Sequence, residues 1–494
     1  MTLPRAYMNS MTDHAARYQA VSARDPRFDG VFFTGVTSTG IYCRPICPAR
    51  TPKAVNCTFY DSAVAAEKAG FRPCLRCRPE LAPGSAPVDD ARRIAHLIVQ
   101  RIGEGLVDDN AHIDTIAAQF EISARQLRRI VQKELGVSPI ELIQTRRLLL
   151  AKQLLTETAL PVTEIAYASG FASLRRFNDA FRQHYRMPPT QLRKKAGDER
   201  GHLNATDTSV LQMAYRPPYD WDGMLEFLQT RLLQGTEAVA GDTYYRTVRL
   251  GECTGWIAVR HAPEKNQLHV EFTHSLAPVL PALLGRLRNL FDLDARPDLI
   301  AAHLRRDALL KKAVAKNPGL RVPGAFCGFD LAVRAILGQQ VTVKAATTLA
   351  TRFVTAFGEK IETPVAGLDR LAPLPERVAR LTVDSISKLG IVSARSKSII
   401  ALAKAFAAGD LQLSAGADPE RLIAQLTSMP GIGPWTAHYI AMRALRWPDA
   451  FPKEDIAVRN RLGGLTAKQA EERSQPWRPW RSYATLHIWH LPPG

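Results

Sequence analysis

The segment SMPGIGPWTAHYIAMRA, residues 428–444, and the later segment FPKEDIAVRNRL, residues 451–462, decide our expectation for the fold. Gly431 and Gly433 flank one apolar residue between two helix-forming stretches, which predicts two helices joined by a tight hairpin. Glycines in such a hairpin leave backbone N–H groups open to a phosphate beside a helix N-terminus. A GxG between helices is more often just a turn, so neighbouring residues must decide its meaning.

Asp455 follows Trp435 by twenty residues and lies behind a proline-containing turn, at the predicted start of a helix. A carboxylate at that place can stabilise an oxocarbenium-like sugar and orient a water molecule. Glu454 is the adjacent rival, and either acid can instead be a helix N-cap or first-turn acid. Aromatic residues that could stack on an extruded base, or simply pack a core, are concentrated nearby: Trp435, Tyr439, Trp477, Trp480, Tyr483 and Trp489.

Four of the seven cysteines form two pairs, Cys43-x3-Cys47 and Cys74-x2-Cys77, separated by 26 residues. Paired thiolates at this spacing predict one tetrahedral Zn²⁺ with a four-sulfur shell. Such a closed shell is normally structural, but zinc-bound sulfur stays anionic and nucleophilic. A methylated DNA phosphate is a suitable electrophile for such a sulfur. The arginines that lie close in sequence would hold the phosphate there: Arg44, Arg50, Arg72, Arg76 and Arg78.

The middle of the chain contains two helix-turn-helix patterns, in residues 112–135 and 162–185. Ser123 is the predicted N-cap of the second helix in the first copy, and Gly170 marks the turn in the second copy. Arginines near the start of each second helix would face phosphates or base edges: Arg125, Arg128, Arg175 and Arg176. The alternative is an ordinary helical bundle with solvated arginines.

The chain has 494 residues, enough for about three or four domains. Lys and Arg number 65 against 47 for Asp and Glu, and the net charge of +18 favours a polyanionic partner, first of all nucleic acid. The sequence has no apolar run of about 18 residues and no apolar signal-peptide core. We therefore expect a cytoplasmic protein with no membrane partner.

The expected fold class is multidomain and mainly α-helical. It combines a small α+β zinc module, a double helix-turn-helix, a small antiparallel-sheet subdomain and a helical body. TYYRTVRL, GWIAVRH and QLHVEF are the predicted strands of that subdomain. Composition shifts place the boundaries at residues 1–83, 89–195, 196–210 (linker), 211–294 and 295–494.

Two resemblances extend over the N-terminal half. Residues 37–50, TSTGIYCRPICPAR, and 59–80, FYDSAVAAEKAGFRPCLRCRPE, resemble the methylphosphotriester-repair domain of the Ada family. This resemblance implies one Zn²⁺ and a once-only methyl acceptor at Cys43. The segments IAYASGFAS and FRQHYRMPPTQLR resemble the DNA-binding domain of AraC-type regulators, which implies promoter DNA and RNA polymerase as partners.

From about Met213 onward the chain resembles bacterial AlkA-type 3-methyladenine DNA glycosylases of the helix-hairpin-helix superfamily. The matching segments include YRPPYDWDGMLEFL, FDLAVRAILGQQVTV and PWRPWRSYATLHIW. Position by position, the resemblance implies Asp455 as the catalytic acid, and Gln340 at the position that wedges into double-stranded DNA. Ile456 departs from the family, which has a tyrosine there. The implied base pocket is Trp435, Tyr439, Trp489 and Phe227.

Related glycosylases that also cut the backbone have a lysine at the position of Trp435. An indole cannot form a Schiff base, so the resemblance implies a monofunctional enzyme that leaves an abasic site. The implied function is alkylation repair and its regulation, in a bacterial, nucleoid-associated protein. The alternative is an alkylation-responsive transcriptional regulator whose glycosylase fold binds DNA without catalysis.

Overall fold

The computed structural model describes residues 14–83, 114, 117, 123–200, 207–413 and 418–492. The first helix expected in the N-terminal helix-turn-helix copy therefore lies largely outside the described residues. So do residues 201–206 of the predicted linker. Within the described residues, none of the helices is both long and apolar enough to cross a membrane.

Helices make up most of the described structure. The α-helices are His14–Ser22, Ala63–Lys68, Ala124–Leu135, Pro139–Glu157, Val162–Ala168, Leu174–Tyr185, Pro189–Arg200, Trp221–Gln229, Leu280–Leu290, Pro297–Leu304, Ala308–Lys316, Gly328–Leu337, Val343–Phe357, Pro375–Val378, Val383–Ser387, Ser393–Ala407, Pro419–Thr427, Pro434–Ala444, Ile456–Arg461, Ala467–Ser474 and Arg481–Trp489. Short 3-10 helices are Pro26–Phe28, Ala54–Asn56, Pro79–Leu81, Pro263–Lys265, His274–Val279 and Gln475–Trp477.

The strands are short and mostly antiparallel. They are Phe33–Val36, Ile41–Cys43, Cys57–Tyr60, Arg72–Pro73, Thr208–Ala214, Glu237–Ala240, Thr243–Leu250, Cys253–Ala262, Gln267–Thr273, Glu359–Lys360 and Arg370–Leu371. The three strands predicted from sequence are present. The strands Thr208–Ala214 and Glu237–Ala240 were not predicted, because only their pairing partners reveal them.

The chain divides into two compact units. Unit 1 comprises residues 1–217 and 262–285, and unit 2 comprises residues 218–261 and 286–494. The helix Pro189–Arg200 and the strand beginning at Thr208 both enter the range 196–210 predicted as a linker. Residues 196–200 and 208–210 of the predicted linker are therefore helix and strand, respectively. The domain boundaries themselves remain predictions.

Unit 1 begins with a metal module, defined here as residues 14–83. Its four strands lie in the order Cys57–Tyr60, Phe33–Val36, Ile41–Cys43 and Arg72–Pro73. The last two strands pair in parallel, with Tyr42 opposite Pro73. This register places Cys43 and Cys74, the next residue of each strand, side by side at the end of the sheet.

The helical part of unit 1 follows its sequence signals closely. Ser123 caps the helix Ala124–Leu135 and accepts a hydrogen bond from the backbone N–H of Gln126 at 3.2 Å, as predicted. Gly170 has φ +86° between the two helices of the second copy, in the left-handed region that favours glycine. Leu127, Val131, Phe177 and Phe181 are among the buried core residues of these helices.

Unit 2 contains an antiparallel hairpin pair of strands and a helical body. The strand register runs from Tyr244 opposite Val259 to Leu250 opposite Cys253. In the body, the helices Pro419–Thr427 and Pro434–Ala444 enclose the predicted hairpin, residues 428–433. We call Pro434–Ala444 the pocket helix, because it carries Trp435 and Tyr439.

Candidate functional site

The four cysteine sulfurs of the metal module lie within 4.8 Å of one another. A tetrahedral zinc ion with Zn–S bonds of about 2.3 Å requires sulfur atoms about 3.8 Å apart, so the four residues fit this ion. The parallel strand pairing supplies Cys43 and Cys74, and two tight turns supply Cys47 and Cys77. Cys74 and Cys77 are buried, whereas Cys43 and Cys47 are partly exposed.

Backbone N–H groups donate hydrogen bonds to particular sulfurs of this cluster. Arg44 N donates to Cys77 Sγ at 3.3 Å, and Arg76 N donates to Cys74 Sγ at 3.4 Å. Ala49 supplies a further backbone hydrogen bond to Cys47. These three bonds draw charge from the sulfurs that accept them, and Cys43 accepts none of the three.

The arginines around the cluster divide into two groups. Arg44 is 4% exposed and its guanidinium is paired with Asp29. Arg78 is paired with Glu80 and Glu157. The expectation that these two bind a phosphate is therefore wrong, because carboxylates occupy both guanidinium groups. Arg50, Arg72 and Arg76 are exposed.

Buried charges connect the metal module to the helix Pro139–Glu157 within unit 1. Lys152 donates to the carbonyl oxygen of Cys74 at 3.0 Å and to Glu80 at 2.7 Å. Burial raises the pKa of the Glu80 carboxyl, but attraction to Lys152 and Arg78 outweighs burial and leaves this pKa below its ordinary value. The metal module thus rests on the helix that precedes the second helix-turn-helix copy.

The arginines predicted to face DNA lie on the surface of their helices. Arg125 and Arg128 are exposed in Ala124–Leu135, and Arg175 and Arg176 are exposed at the start of Leu174–Tyr185. Arg175 lies 4.0 Å from Asp179, a solvent-exposed pair that is readily broken.

In unit 2, Asp455 is 8% exposed and caps the helix Ile456–Arg461. Its Oδ1 accepts from the backbone N–H of Val458 at 2.8 Å and from Trp489 Nε1 at 3.3 Å. Its Oδ2 accepts from Trp435 Nε1 at 2.8 Å. Asp455 is therefore an N-cap, as the structural alternative held, and is also joined to two of the predicted pocket residues.

Glu454, the acid next to Asp455 in sequence, has different surroundings from Asp455. One carboxylate oxygen of Glu454, Oε2, is buried without a hydrogen-bond partner among the described residues. The next residue after Asp455, Ile456, is 70% exposed.

The four predicted aromatic residues come together around Asp455. Trp435 and Tyr439 stack at 5.3 Å with an interplanar angle of 11°. Phe227 and Trp489 are nearly parallel, at 17°, with their ring centroids 6.5 Å apart. The centroids of Tyr439 and Trp489 are also 6.5 Å apart.

Two arginines that were not predicted complete this cluster. Arg443 donates to the Tyr439 hydroxyl at 2.7 Å, and the Arg231 guanidinium lies 3.9 Å from the centroid of Phe227. Burial raises the pKa of Tyr439, but the charges of Arg443 and Arg231 lower it below its ordinary value. The spacing of Trp435, Tyr439 and Arg443, each four residues apart on one helix face, was the signal that could have revealed Arg443.

The predicted DNA-contacting backbone positions also lie in unit 2. Gly431 has φ +74°, and Gly433 is the N-cap of the pocket helix, without a capping side chain. Gln340 is exposed and has φ +53°, in a loop that we call the wedge loop, residues 338–342.

Four family models match successive parts of the chain. They are the metal binding domain of Ada at residues 16–80, a helix-turn-helix domain at 116–195, the AlkA N-terminal domain at 210–327, and the HhH-GPD superfamily of base excision DNA repair proteins at 333–480. A Mycobacterium tuberculosis protein named "probable bifunctional transcriptional activator/DNA repair enzyme AlkA" is 38% identical over 479 residues, 96% of this chain and 95% of its own. The chain belongs to this AlkA family.

Two other relatives match separate parts of this AlkA-family chain. DNA-3-methyladenine glycosylase 2 of Escherichia coli is 35% identical over 276 residues, 56% of this chain and 95% of the relative. The "bifunctional transcriptional activator/DNA repair enzyme Ada" of Escherichia coli is 37% identical over 124 residues, 25% of this chain and 33% of the relative. The predicted fusion and the predicted multidomain, mainly helical fold class are confirmed, and the cysteine cluster is a zinc site.

Proposed function

We propose that this protein is a monofunctional DNA glycosylase for alkylated bases such as 3-methyladenine, joined to a methyl-accepting transcriptional activator. The observation that carries the glycosylase proposal is the Asp455 carboxylate, held by the indole N–H groups of Trp435 and Trp489. A carboxylate fixed in this way stabilises positive charge on the sugar as the base departs. Water then adds at the sugar C1′ and an abasic site remains.

The aromatic cluster supports an alkylated purine as the base. The rings of Phe227 and Trp489 are nearly parallel, with centroids 6.5 Å apart, and aromatic rings of this kind provide stacking surfaces for an extruded base. Electron-rich rings favour a cationic alkylated purine over its neutral parent. Trp435 provides no amine for a Schiff base, which supports hydrolysis without strand cleavage.

The backbone elements support binding to double-stranded DNA. The N–H groups at Gly431 and Gly433 lie at a helix N-terminus and can bind a phosphate without reading sequence. Gln340, exposed in the wedge loop, would enter the duplex beside the extruded base.

Release of 3-methyladenine from methylated duplex DNA tests this proposal. We expect release by the wild-type chain, its loss in Asp455→Asn, and near wild-type release in Glu454→Gln. Equal release by Asp455→Asn and the wild type would instead indicate that this carboxylate has no catalytic role.

We further propose that Cys43 is the methyl acceptor of a single-zinc site. Its Sγ attacks the methyl carbon of a methylphosphotriester, the carbon–oxygen bond breaks, and a thioether and a phosphodiester anion result. Zinc, when bound, keeps the cysteine sulfurs deprotonated at neutral pH. Two observations support this assignment. Cys43 is partly exposed, and the backbone N–H groups donate to the other three sulfurs and so draw charge from those sulfurs.

The exposed Arg50 and Arg72 would hold the neighbouring phosphates. Intact-mass and peptide analysis after exposure to methylated DNA tests the transfer: we expect a gain of about 14 Da on Cys43. An unmodified Cys43 in zinc-loaded protein would identify the site as structural.

Methyl transfer would also control transcription. It removes a negative charge from the metal module and so reduces repulsion from DNA. Arg125, Arg128, Arg175 and Arg176 would then bind promoter DNA, with RNA polymerase as the protein partner. We expect tighter promoter binding after methylation, measured at fixed salt, and no such change in Cys43→Ser.

A further inference from the structure

The side chain of Gln339, in the wedge loop, connects this loop to the hairpin of residues 428–433. Its Nε2 donates to the carbonyl oxygen of Gly431 at 2.8 Å and to Thr436 Oγ1 at 3.0 Å. The first acceptor lies in the hairpin and the second in the first turn of the pocket helix. One amide group thus bonds to both parts of the proposed phosphate anchor, more than 90 residues away in the chain.

The backbone of Gln339 is fixed as well. Its carbonyl oxygen accepts a hydrogen bond at 2.5 Å from Arg395, in the helix Ser393–Ala407. The same helix packs against the hairpin, because a Cβ on Gly431 would lie only 2.3 Å from Ser398 Oγ. The wedge loop, the hairpin and this helix therefore meet at Gln339.

The residue after Gln339 adopts a backbone conformation that needs support. Gln340 has φ +53°, which is unfavourable for a residue with a Cβ, and its side chain is exposed. Such a conformation persists only where surrounding structure imposes it. The hydrogen bonds of Gln339 supply that constraint on the N-terminal side of Gln340.

We infer that Gln339 is a positioning residue that sets the distance between the wedge, Gln340, and the phosphate-binding hairpin. This inference rests on the proposed glycosylase function. Base extrusion needs the wedge to press on the duplex while the hairpin holds the backbone beside the lesion. A loop released from the hairpin would still let the protein bind DNA, but it would extrude the base less often.

The test is Gln339→Met, which keeps an unbranched side chain of similar length and removes both amide hydrogen bonds. Two lost bonds predict a fall of about tenfold or more in the single-turnover rate of 3-methyladenine release at saturating enzyme. Binding of undamaged duplex should change by less than about threefold, since the hairpin remains. A general structural defect would not lower the release rate while leaving the binding of undamaged duplex nearly unchanged.

The matched control is Gln475→Met. Gln475 Nε2 also donates to one backbone and one side-chain oxygen, both of Glu471, at 3.1 and 3.0 Å. This variant loses the same kind of bonds away from the wedge loop, so its release rate should equal that of the wild type. Both variants should unfold at similar temperatures.

Fluorescence of 2-aminopurine beside the lesion reports extrusion without depending on the chemical step. We expect a smaller fluorescence rise with Gln339→Met than with the wild type or Gln475→Met. Wild-type release rate and fluorescence in Gln339→Met would overturn the inference alone. A wild-type chain that releases no base would overturn the proposed function, and the inference with it.

Discussion

Trp435 has two separable roles at the proposed active site, because its ring stacks on Tyr439 while its Nε1 donates to Asp455. Trp435→Phe keeps an aromatic ring but removes the donor. We expect the single-turnover release rate to fall by about ten- to a hundredfold, since a hydrogen bond to a charged group contributes about 1.5–3 kcal/mol. Trp447→Phe, which alters the ring stacked on His438, is the control and should release base at the wild-type rate.

His487 links the stability of the protein to pH. Burial, with a smaller effect of His490, lowers the pKa of His487 to about 4 from its ordinary value of 6.5. The unfolded chain therefore binds the proton more readily than the folded chain. The contribution of neutral His487 is fully present above about pH 6.5 and is lost as the pH falls to about 4, by up to about 1.4 kcal/mol per pH unit.

Urea unfolding at several pH values measures this effect. The free energy of unfolding should fall more steeply below pH 6.5 in the wild type than in His487→Met, which has no titrating group. Identical slopes would show that other buried groups govern the acid sensitivity.

At this scale the sequence predicted which candidate site residues lie together better than it predicted their ion-pair partners. Cys43, Asp455 and the four aromatic residues were predicted from spacing and resemblance, and the structure brings each group together. The pairing of Arg44 with Asp29, and of Arg78 with Glu157, was not predictable, because these carboxylates lie 15 and 79 residues away. Local sequence does not reveal which cation a distant carboxylate will pair with.

Among the elements, the helix Pro139–Glu157 supports the metal module through one buried cation. Lys152 is 1% exposed and is paired with Glu80. Lys152→Met would leave the Glu80 carboxylate in the interior with Arg78 as its remaining cationic partner. Removal of one member of a buried pair typically costs about 3–5 kcal/mol, and we expect a loss at the lower end of this range.

Chemical unfolding of zinc-loaded protein, followed by the far-ultraviolet signal, measures this loss. Lys133→Met, a change at an exposed position, should alter stability by no more than about 0.5 kcal/mol. The double variant Lys152→Met/Glu80→Gln should recover part of the stability. Equal stability of Lys152→Met and Lys133→Met would contradict a supporting role for Lys152.

Periodicity and capping residues predicted the described helices of the two helix-turn-helix patterns, those on either side of the hairpin, and the helix that begins after Asp455. Ser123, for example, caps its helix as its sequence position indicates. Strands were less predictable: Thr208–Ala214 pairs with Gln267–Thr273, more than 50 residues later. Such a strand depends on a distant partner, so its own seven residues carry a weak signal.

On the scale of the whole molecule, the zinc site belongs to unit 1 and Asp455 to unit 2. Removal of zinc with a chelator should therefore abolish methyl transfer and weaken promoter binding, because the four-thiolate shell holds the metal module together. Base release should persist, since every residue proposed for excision lies in unit 2.

Base release and intact mass, both measured before and after chelation, separate the two activities. Zinc added back should restore methyl acceptance. Parallel loss of base release on chelation would contradict independent operation of the two sites.

The presence of both sites on one polypeptide also has a consequence for dosage. The thioether formed at Cys43 would be permanent, so each copy could report damage once, whereas Asp455 would be regenerated after every excision. Each additional molecule would supply one single-use methyl acceptor and one catalytic site that turns over repeatedly. A cell that uses this protein could not increase its number of unmethylated Cys43 sites without increasing its number of glycosylase active sites equally. Molecules already methylated at Cys43 would accumulate and would still excise damaged bases.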